Sequence, residues 1–427
     1  MKNPGSIRTN RIKALLAVTM ILLAAVLYLN RRGGDDAVTA GVGSSSSIQS
    51  QPDAVPADKV ALPESDPEFR AVWVQYPELN FTGKTEAEFK AIADQMLDNI
   101  KERGLNAVFL HVRPFSDAFY KSSYFPWSKY LAGEQGKDPG YDPLEYFVQA
   151  AHQRDIQLHA WINPYRVSAS PDTDALSGDN PARIWLDGGS AYDNYVMVCE
   201  QGIYYNPAIP EVKKLILDGV REIVENYHVD GIHFDDYFYP NADLSLDAKS
   251  YKAYLKSGGK LSQGDWRRAN TNTLVSGVYA LCKAQNRRIT FGISPAAKAQ
   301  NNYDNLFADV YTWGSQPGYV DYLCPQIYFG FEHETMPFGP VAGQWNDLVS
   351  SDSVRLYAGL AVYKTGKTAD ELTAGDGNEW SKHDDLIKRQ VEYIRKLSRF
   401  EGFALFSYGY TAACEAEAEM NILITIL

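Results

Sequence analysis

A chain of 427 residues, 45% hydrophobic and 22% charged, has an ordinary globular composition and allows one large domain or two smaller ones. Its formal net charge of -12 excludes a polyanion such as nucleic acid as the main partner, because no basic excess exists to neutralise phosphates. Neutral polymers and cationic partners stay open, and the 28 Tyr and 8 Trp supply rings that either fill a core or stack on sugars or bases.

At the N-terminus, Lys2, Arg8, Arg11 and Lys13 precede the apolar run 14–29, and Arg31 and Arg32 follow it. The run is slightly short of the ~20 residues of a usual membrane span and longer than most signal-peptide cores. The nearest small-residue cleavage site, Val38-Thr39-Ala40, comes only after RRGGDD. This predicts a retained transmembrane signal anchor over 1–32, with secretion after cleavage as the alternative. The basic excess before the span places the N-terminus inside and the body on the extracytoplasmic face of the cell membrane. Residues 33–67, rich in Ser, Gly, Pro, Asp and Ala without apolar periodicity, read as a flexible, disordered tether.

From residue 68 onward, apolar β-prone runs recur: FRAVWVQY (69–76), NAVFLHVRP (106–114), IQLHAWINPYR (156–166), VDGIHFDDYFYP (229–240), RITFGISP (288–295), VDYLCPQIYF (320–329), RLYAGLAVYK (355–364) and EGFALFSYGY (401–410). Between them lie TEAEFKAIADQMLDNIKERG, YDPLEYFVQAAHQRD, IPEVKKLILDGVREIVENY and HDDLIKRQVEYIRKL, whose apolar residues return at helical spacing. Strand alternating with helix implies a parallel sheet covered on both faces. Eight such units predict a closed α/β architecture over 68–427, the (β/α)8 TIM barrel with long βα loops. An open doubly wound sheet is the weaker alternative, since QYPELNF and no Gly-rich phosphate turn follows the first strand.

In such a barrel the active site forms at the C-terminal ends of the strands. Those ends are polar here: His111 and Arg113 on the second, Trp161, Asn163 and Arg166 on the third, His233, Asp235 and Asp236 on the fourth, Gln326 and Tyr328 on the sixth. Strand alternation puts His233 and Asp235 on one face, pointing into the mouth, with Asp236 turned toward the loop or bracing a neighbour. Arg113 or Asn163 is expected to partner Asp235. Tyr76, Trp127, Trp161, Tyr165, Tyr237, Tyr328 and Trp380 are candidate sugar platforms, some of them structural.

Glycoside cleavage usually takes two carboxyls, one ionised and one protonated. Beside Asp235, Glu332 in QIYFGFEHE is the best placed second carboxyl, with Glu334 next, and Asp117, Glu78 and Glu379 share the rim. Separations of ~5 Å for retention and ~6.5–9.5 Å for inversion are both open. A metal-dependent hydrolase is disfavoured, since HVRP and HAWIN each offer a single His, and no GxSxG elbow serves a serine nucleophile. Cys199, Cys282, Cys324 and Cys414 form no CxxC pair, so neither metal nor cofactor is expected.

Several long blocks are specific enough to carry a resemblance. FRAVWVQY, HVRPFSDAFYKSSYFPWSKYLAGEQGKDPGYDPLEYFVQAAHQRDIQLHAWINPYRV, GIHFDDYFYP and PQIYFGFEHETMPF resemble the glycosyl-hydrolase-like family 10 proteins of bacterial cell envelopes, from about Phe69 to near the C-terminus. The resemblance implies a (β/α)8 barrel that cleaves a polysaccharide outside the membrane, one branch of the family acting on peptide-free glycan strands of peptidoglycan. It also implies a nucleophile at Asp235, where related barrel hydrolases carry theirs, and leaves the acid unassigned. A membrane-tethered glycan-binding barrel without catalysis is the alternative.

Overall fold

The structure, a computed structural model, describes residues 67–427, so the expected anchor over 1–32 and all but the last residue of the tether lie outside the described residues. Among the described residues no helix is long and apolar enough to cross a membrane. Eight strands form the barrel: β1 (Phe69–Val74), β2 (Ala107–Arg113), β3 (Gln157–Ile162), β4 (Gly231–Phe234), β5 (Thr290–Ile293), β6 (Tyr322–Leu323), β7 (Arg355–Leu360) and β8 (Phe400–Phe406). Every neighbouring pair is parallel, and β1 pairs with both β2 and β8, which closes the ring. The principal helices are α1 (Glu86–Glu102), α2 (Pro143–His152), α3 (Pro210–Asn226), α4 (Gln263–Gln285), α5 (Val310–Ser315), α6 (Phe338–Leu348), α7 (Leu386–Ile394) and α8 (Glu417–Ile424).

Local signals start these helices where the sequence places them. Thr85 accepts from the Glu88 N–H and Glu88 answers with its own side chain, a reciprocal box that satisfies two otherwise orphaned donors at the start of α1. Asp142 accepts from Glu145 N ahead of α2, and Pro143 and Pro210 occupy first-turn positions whose N–H needs no partner. Phe89, Ala93, Met96, Leu97 and Ile100 then recur on the buried side of α1. Burial of each large apolar side chain contributes roughly 1.5–3 kcal/mol.

The barrel interior follows strand alternation. Phe69, Ala71 and Trp73 of β1, Phe109 of β2, Trp161 of β3, Tyr322 of β6, Tyr357 of β7 and Ala404 of β8 form one buried cluster. His159 and His233 point into the same space. Tyr322 Oη lies 3.0 Å from His159 Nδ1 and 3.0 Å from His233 Nδ1, while Trp73 Nε1 donates to His233 Nε2 at 3.1 Å. Since His233 Nε2 accepts, its Nδ1 carries the proton and donates to Tyr322, whose hydroxyl in turn donates to His159. The His233 ring stacks on Phe109 at 3.9 Å and is fully buried. The expectation that His233 binds substrate is therefore corrected: it is a fully engaged core residue below the mouth.

Three local departures shape the rim. The β2–β3 register shifts between His111 and Arg113, a bulge that sets two β2 residues against one of β3 and reverses the expected facing of Arg113. Arg113 instead lies over the Phe125 ring at 4.3 Å, and a Cβ on Gly219 of α3 would sit 2.4 Å from its Nη1. It packs between barrel and helix and does not serve Asp235. Second, β3 ends at Ile162, before Asn163-Pro164, and Arg166 begins a separate antiparallel sheet of Arg166–Ser168, Gly202–Tyr205 and Val196–Cys199. Gly202 closes its hairpin at φ +124°, where an added Cβ would meet Ser168 O at 2.1 Å, so only glycine fits. Third, β6 is two residues long because Pro325 has no N–H for the ladder; the chain rejoins only through isolated bridges at Gln326.

Candidate active site

Asp235 follows directly on β4 and is buried. Trp161 Nε1 donates to its Oδ2 at 3.2 Å, and the Tyr237 N–H donates to Oδ1 at 3.3 Å. Burial, reinforced by the neighbouring Asp236 charge, pushes the Asp235 carboxyl well above the usual range, against the pull of Tyr237 N–H, Arg166 and Trp161. Asp236 is also raised by burial, to about 6, while its own backbone N–H, the Gln326 side chain and Arg166 favour its ionised form. The two carboxyls thus share one cation, and burial raises both.

That cation comes from the small sheet beyond β3. Arg166 lies over the Tyr237 ring at 4.4 Å and the Phe115 ring at 5.4 Å, and it is buried. Tyr204, on the strand beside Arg166, feels Arg166, Asp235 and Asp236 together. No motif marked Tyr204 in the sequence, because its approach depends on the hairpin folding back across the mouth. His111 stacks on Trp161 with centroids 3.5 Å apart. Burial and then the Arg166 charge hold its imidazole well below the ordinary pKa, so it is neutral beside Trp161. With one face covered by His111 and its Nε1 committed to Asp235, Trp161 orients the acid more than it offers an open platform.

The other expected residues divide. Gln326, Tyr328 and Tyr237 are half-buried at the same mouth, and Tyr328 feels the Asp236 charge. Asn163 is buried and donates from Nδ2 to Pro114 O at 2.8 Å, fixing the crossing from β2 to β3. Tyr165 is fully buried, and Trp380 is only 1% exposed beneath the loop after β7, so neither presents a face to a sugar. That corrects the expectation of a platform at Trp380. Glu332 stands exposed in the loop after β6, its N–H donating at 2.9 Å to Oε2 of the buried Glu379. The groups that act most strongly on the Asp235 charge are Asp236, Tyr237, Arg166 and Trp161. Of the three remaining candidates, Glu334 is exposed, and Glu78 and Asp117 are engaged. Glu78 accepts from Ser407 Oγ and Gly409 N, each at 2.7 Å, tying the β1 and β8 ends together, and burial raises it to about 7. Asp117 accepts from Gln135 Nε2 at 3.1 Å and is raised by burial to about 6. Among the described residues no group of three or more His, Cys, Asp or Glu is placed to hold a metal ion.

Residues 68–373 match the family described as Glycosyl hydrolase-like 10. Glycosyl hydrolase YngK of Bacillus subtilis is 36% identical over 82% of this chain and 69% of its own length. Glycosyl hydrolase DigH of Escherichia coli is 32% identical over 81% of each. The chain belongs to the glycosyl hydrolase-like 10 family. The glycosyl hydrolase-like 10 match spans β1 to the loop after β7 and so includes Asp235, Asp236, Arg166 and Gln326. Among solved structures, the PgaB (BpsB) glycoside hydrolase domain of Bordetella bronchiseptica aligns with a TM-score of 0.54 at 13% identity, over 84% of this chain and 99% of that one. The catalytic domain of β-amylase from Paenibacillus polymyxa aligns with a TM-score of 0.54 at 10% identity, over 84% and 98%. At those identities the two share a fold with this chain, the TIM barrel of glycosidases.

Proposed function

We propose that this protein is a glycoside hydrolase acting outside the cell membrane on the O-glycosidic bonds of a polysaccharide, with peptide-free glycan strands of peptidoglycan as its substrate and Asp235 as the reactive carboxyl. The observation that carries the reading is the Asp235–Asp236 pair. Two buried carboxyls with raised pKa values sit beside one guanidinium, at the strand ends where barrels of this kind perform chemistry. A carboxyl whose pKa is raised by burial suits protonation of a leaving glycosidic oxygen better than nucleophilic attack, so Asp235 is assigned as proton donor. Half-buried Tyr237, Tyr328 and Gln326 give a sugar both ring faces and a polar side chain at the same mouth. The extracytoplasmic address rests on the anchor reading of residues 1–32, and the choice of substrate on the family.

Incubation of the purified protein with peptide-free peptidoglycan strands tests the reading through the appearance of new reducing ends. The exposed position of Glu332 favours one second reading, a barrel that binds glycan without cleaving it. That reading predicts retention of the protein on the strands with no rise in reducing ends.

A further inference from the structure

Beyond β7 and β8 the mouth carries a lysine that takes no part in the aspartate site. Lys367 follows the short helix Val362–Lys364 at the end of β7 and is half-buried. Its Nζ lies over the Tyr363 ring at 5.6 Å and over the Tyr410 ring at 5.7 Å, Tyr410 being in the short helix Tyr408–Thr411 directly after β8. Among the described residues the Lys367 ammonium forms no ion pair and no hydrogen bond. Lys364 shows the contrast, since its Nζ donates to both oxygens of Asp376 at 2.7 and 2.8 Å. Glu371 and Glu415 act on the Lys367 charge from further off: Glu371 Oε2 accepts instead from Thr368 N and Oγ1, at 3.0 and 2.9 Å, and Glu415 is exposed. Burial lowers the Lys367 pKa against the pull of both, so neither carboxylate offsets the hydration that the ammonium has lost.

The same rings lead back to the aspartates. Tyr363 meets Tyr328 edge-on at 5.9 Å, and Tyr328 tilts against Phe406 at 5.6 Å. Tyr328 stands two residues beyond Gln326, whose side chain favours the ionised form of Asp236. A glycan with one sugar at Asp235 and Asp236 that continues along Tyr328 and Tyr363 is thereby brought to Lys367.

Resting on the reading that the protein cleaves peptide-free peptidoglycan strands, we infer that Lys367 holds a carboxylate of the substrate, the lactyl carboxylate on alternate sugars, and so selects an acidic glycan. Removal of the peptide frees this group as an anion on a short branch. With the peptide attached it is a neutral amide, which gives an ammonium a weaker partner. The net charge of -12 disfavours an anion over the chain as a whole, so a local cation at the mouth is needed to admit one. Arg166 is already shared by two buried carboxyls, and Lys364 is paired with Asp376. The cation–π contacts of Lys367 leave it N–H donors for a carboxylate, while Tyr363 and Tyr410 fix where the ammonium stands.

Peptide-free peptidoglycan strands are offered untreated and with their lactyl carboxyls converted to neutral methylamides. Retention of the protein on immobilised strands in the cold gives a Kd for each before reducing ends accumulate. The parent is expected to bind the untreated strands about tenfold more tightly than the amidated ones. Lys367→Met, which keeps an unbranched stem over the two rings and is verified as folded by its unfolding transition, is expected to lose that preference. It should bind both kinds of strand as weakly as the parent binds the amidated ones. In turnover the same loss is expected in KM, with kcat within about twofold of the parent. Equal affinity of the parent for the two strands, or a Lys367→Met loss of the same size on both, overturns the site. A parent that shows the tenfold preference yet releases no reducing ends overturns the hydrolase reading and leaves the Lys367 site standing. Binding to neither strand overturns both.

Discussion

The barrel interior and the barrel mouth are both polar and both buried, yet only one is poised for chemistry. Inside, Trp73, His233, Tyr322 and His159 form a chain in which each donor finds an acceptor. At the mouth a few residues further along the same strands, two carboxyls share a single guanidinium and rings that remain half open. A saturated network contributes rigidity, whereas an underpartnered buried group holds its proton abnormally and can pass it on. The contrast also predicts opposite responses to acid. His159 is lowered by burial to about 4, so the unfolded chain binds its proton more tightly, and the stability it contributes above pH ~6.5 is lost as pH falls toward 4. Asp236 is raised to about 6, so the folded chain binds its proton more tightly, and the cost of ionising it sets in as pH rises from ~4 through 6.

The largest expected effect belongs to the interior. His233→Ala removes the partner of Trp73 Nε1 and of Tyr322 Oη and leaves a cavity against Phe109, which is expected to cost about 3–5 kcal/mol in denaturant unfolding. A loss below about 1 kcal/mol would mean that the network is not closed. At the mouth the sign reverses: Asp236→Asn is expected to stabilise the fold by on the order of 2 kcal/mol at pH 8 and by nothing measurable at pH 4. A gain equal at both pH values would trace the effect to packing instead of charge. Smaller still is Trp161→Phe, which deletes a donor that lowers the Asp235 pKa. Its turnover is expected to fall by a factor corresponding to about 1 kcal/mol, with the alkaline limb of the rate profile moving to higher pH. A limb that moves down would reverse the assigned role of Trp161. Glu332→Gln closes the series with turnover within about twofold of the parent, as expected for an exposed side chain; a loss above ~10² would restore Glu332 as the acid.

The eight strands and the principal helix starts were legible because β-prone apolar runs and capping residues act locally, as in Thr85 with Glu88 and Pro143 after Asp142. Alternation likewise placed Asp235 at the mouth, but its side-chain donor there is Trp161 and not the expected Arg113 or Asn163. What failed depended on departures from regular geometry. One extra residue at the β2 bulge turned Arg113 to the wrong side, and the cation that faces the aspartates is Arg166. The break at Asn163-Pro164 turned the end of one apparent strand into a second sheet. His233 and Trp380 carried the right chemistry for a site, but depth along a strand and cover by a loop are not written in residue type.

The central claim is that Asp235 is the reactive carboxyl of a glycan-cleaving site. The most direct test is the rate of reducing-end release from peptide-free peptidoglycan strands by the parent protein and by Asp235→Asn, each verified as folded by its unfolding transition. The account predicts that the parent releases reducing ends and that the variant does so at least ~10²-fold more slowly; equal rates would contradict it.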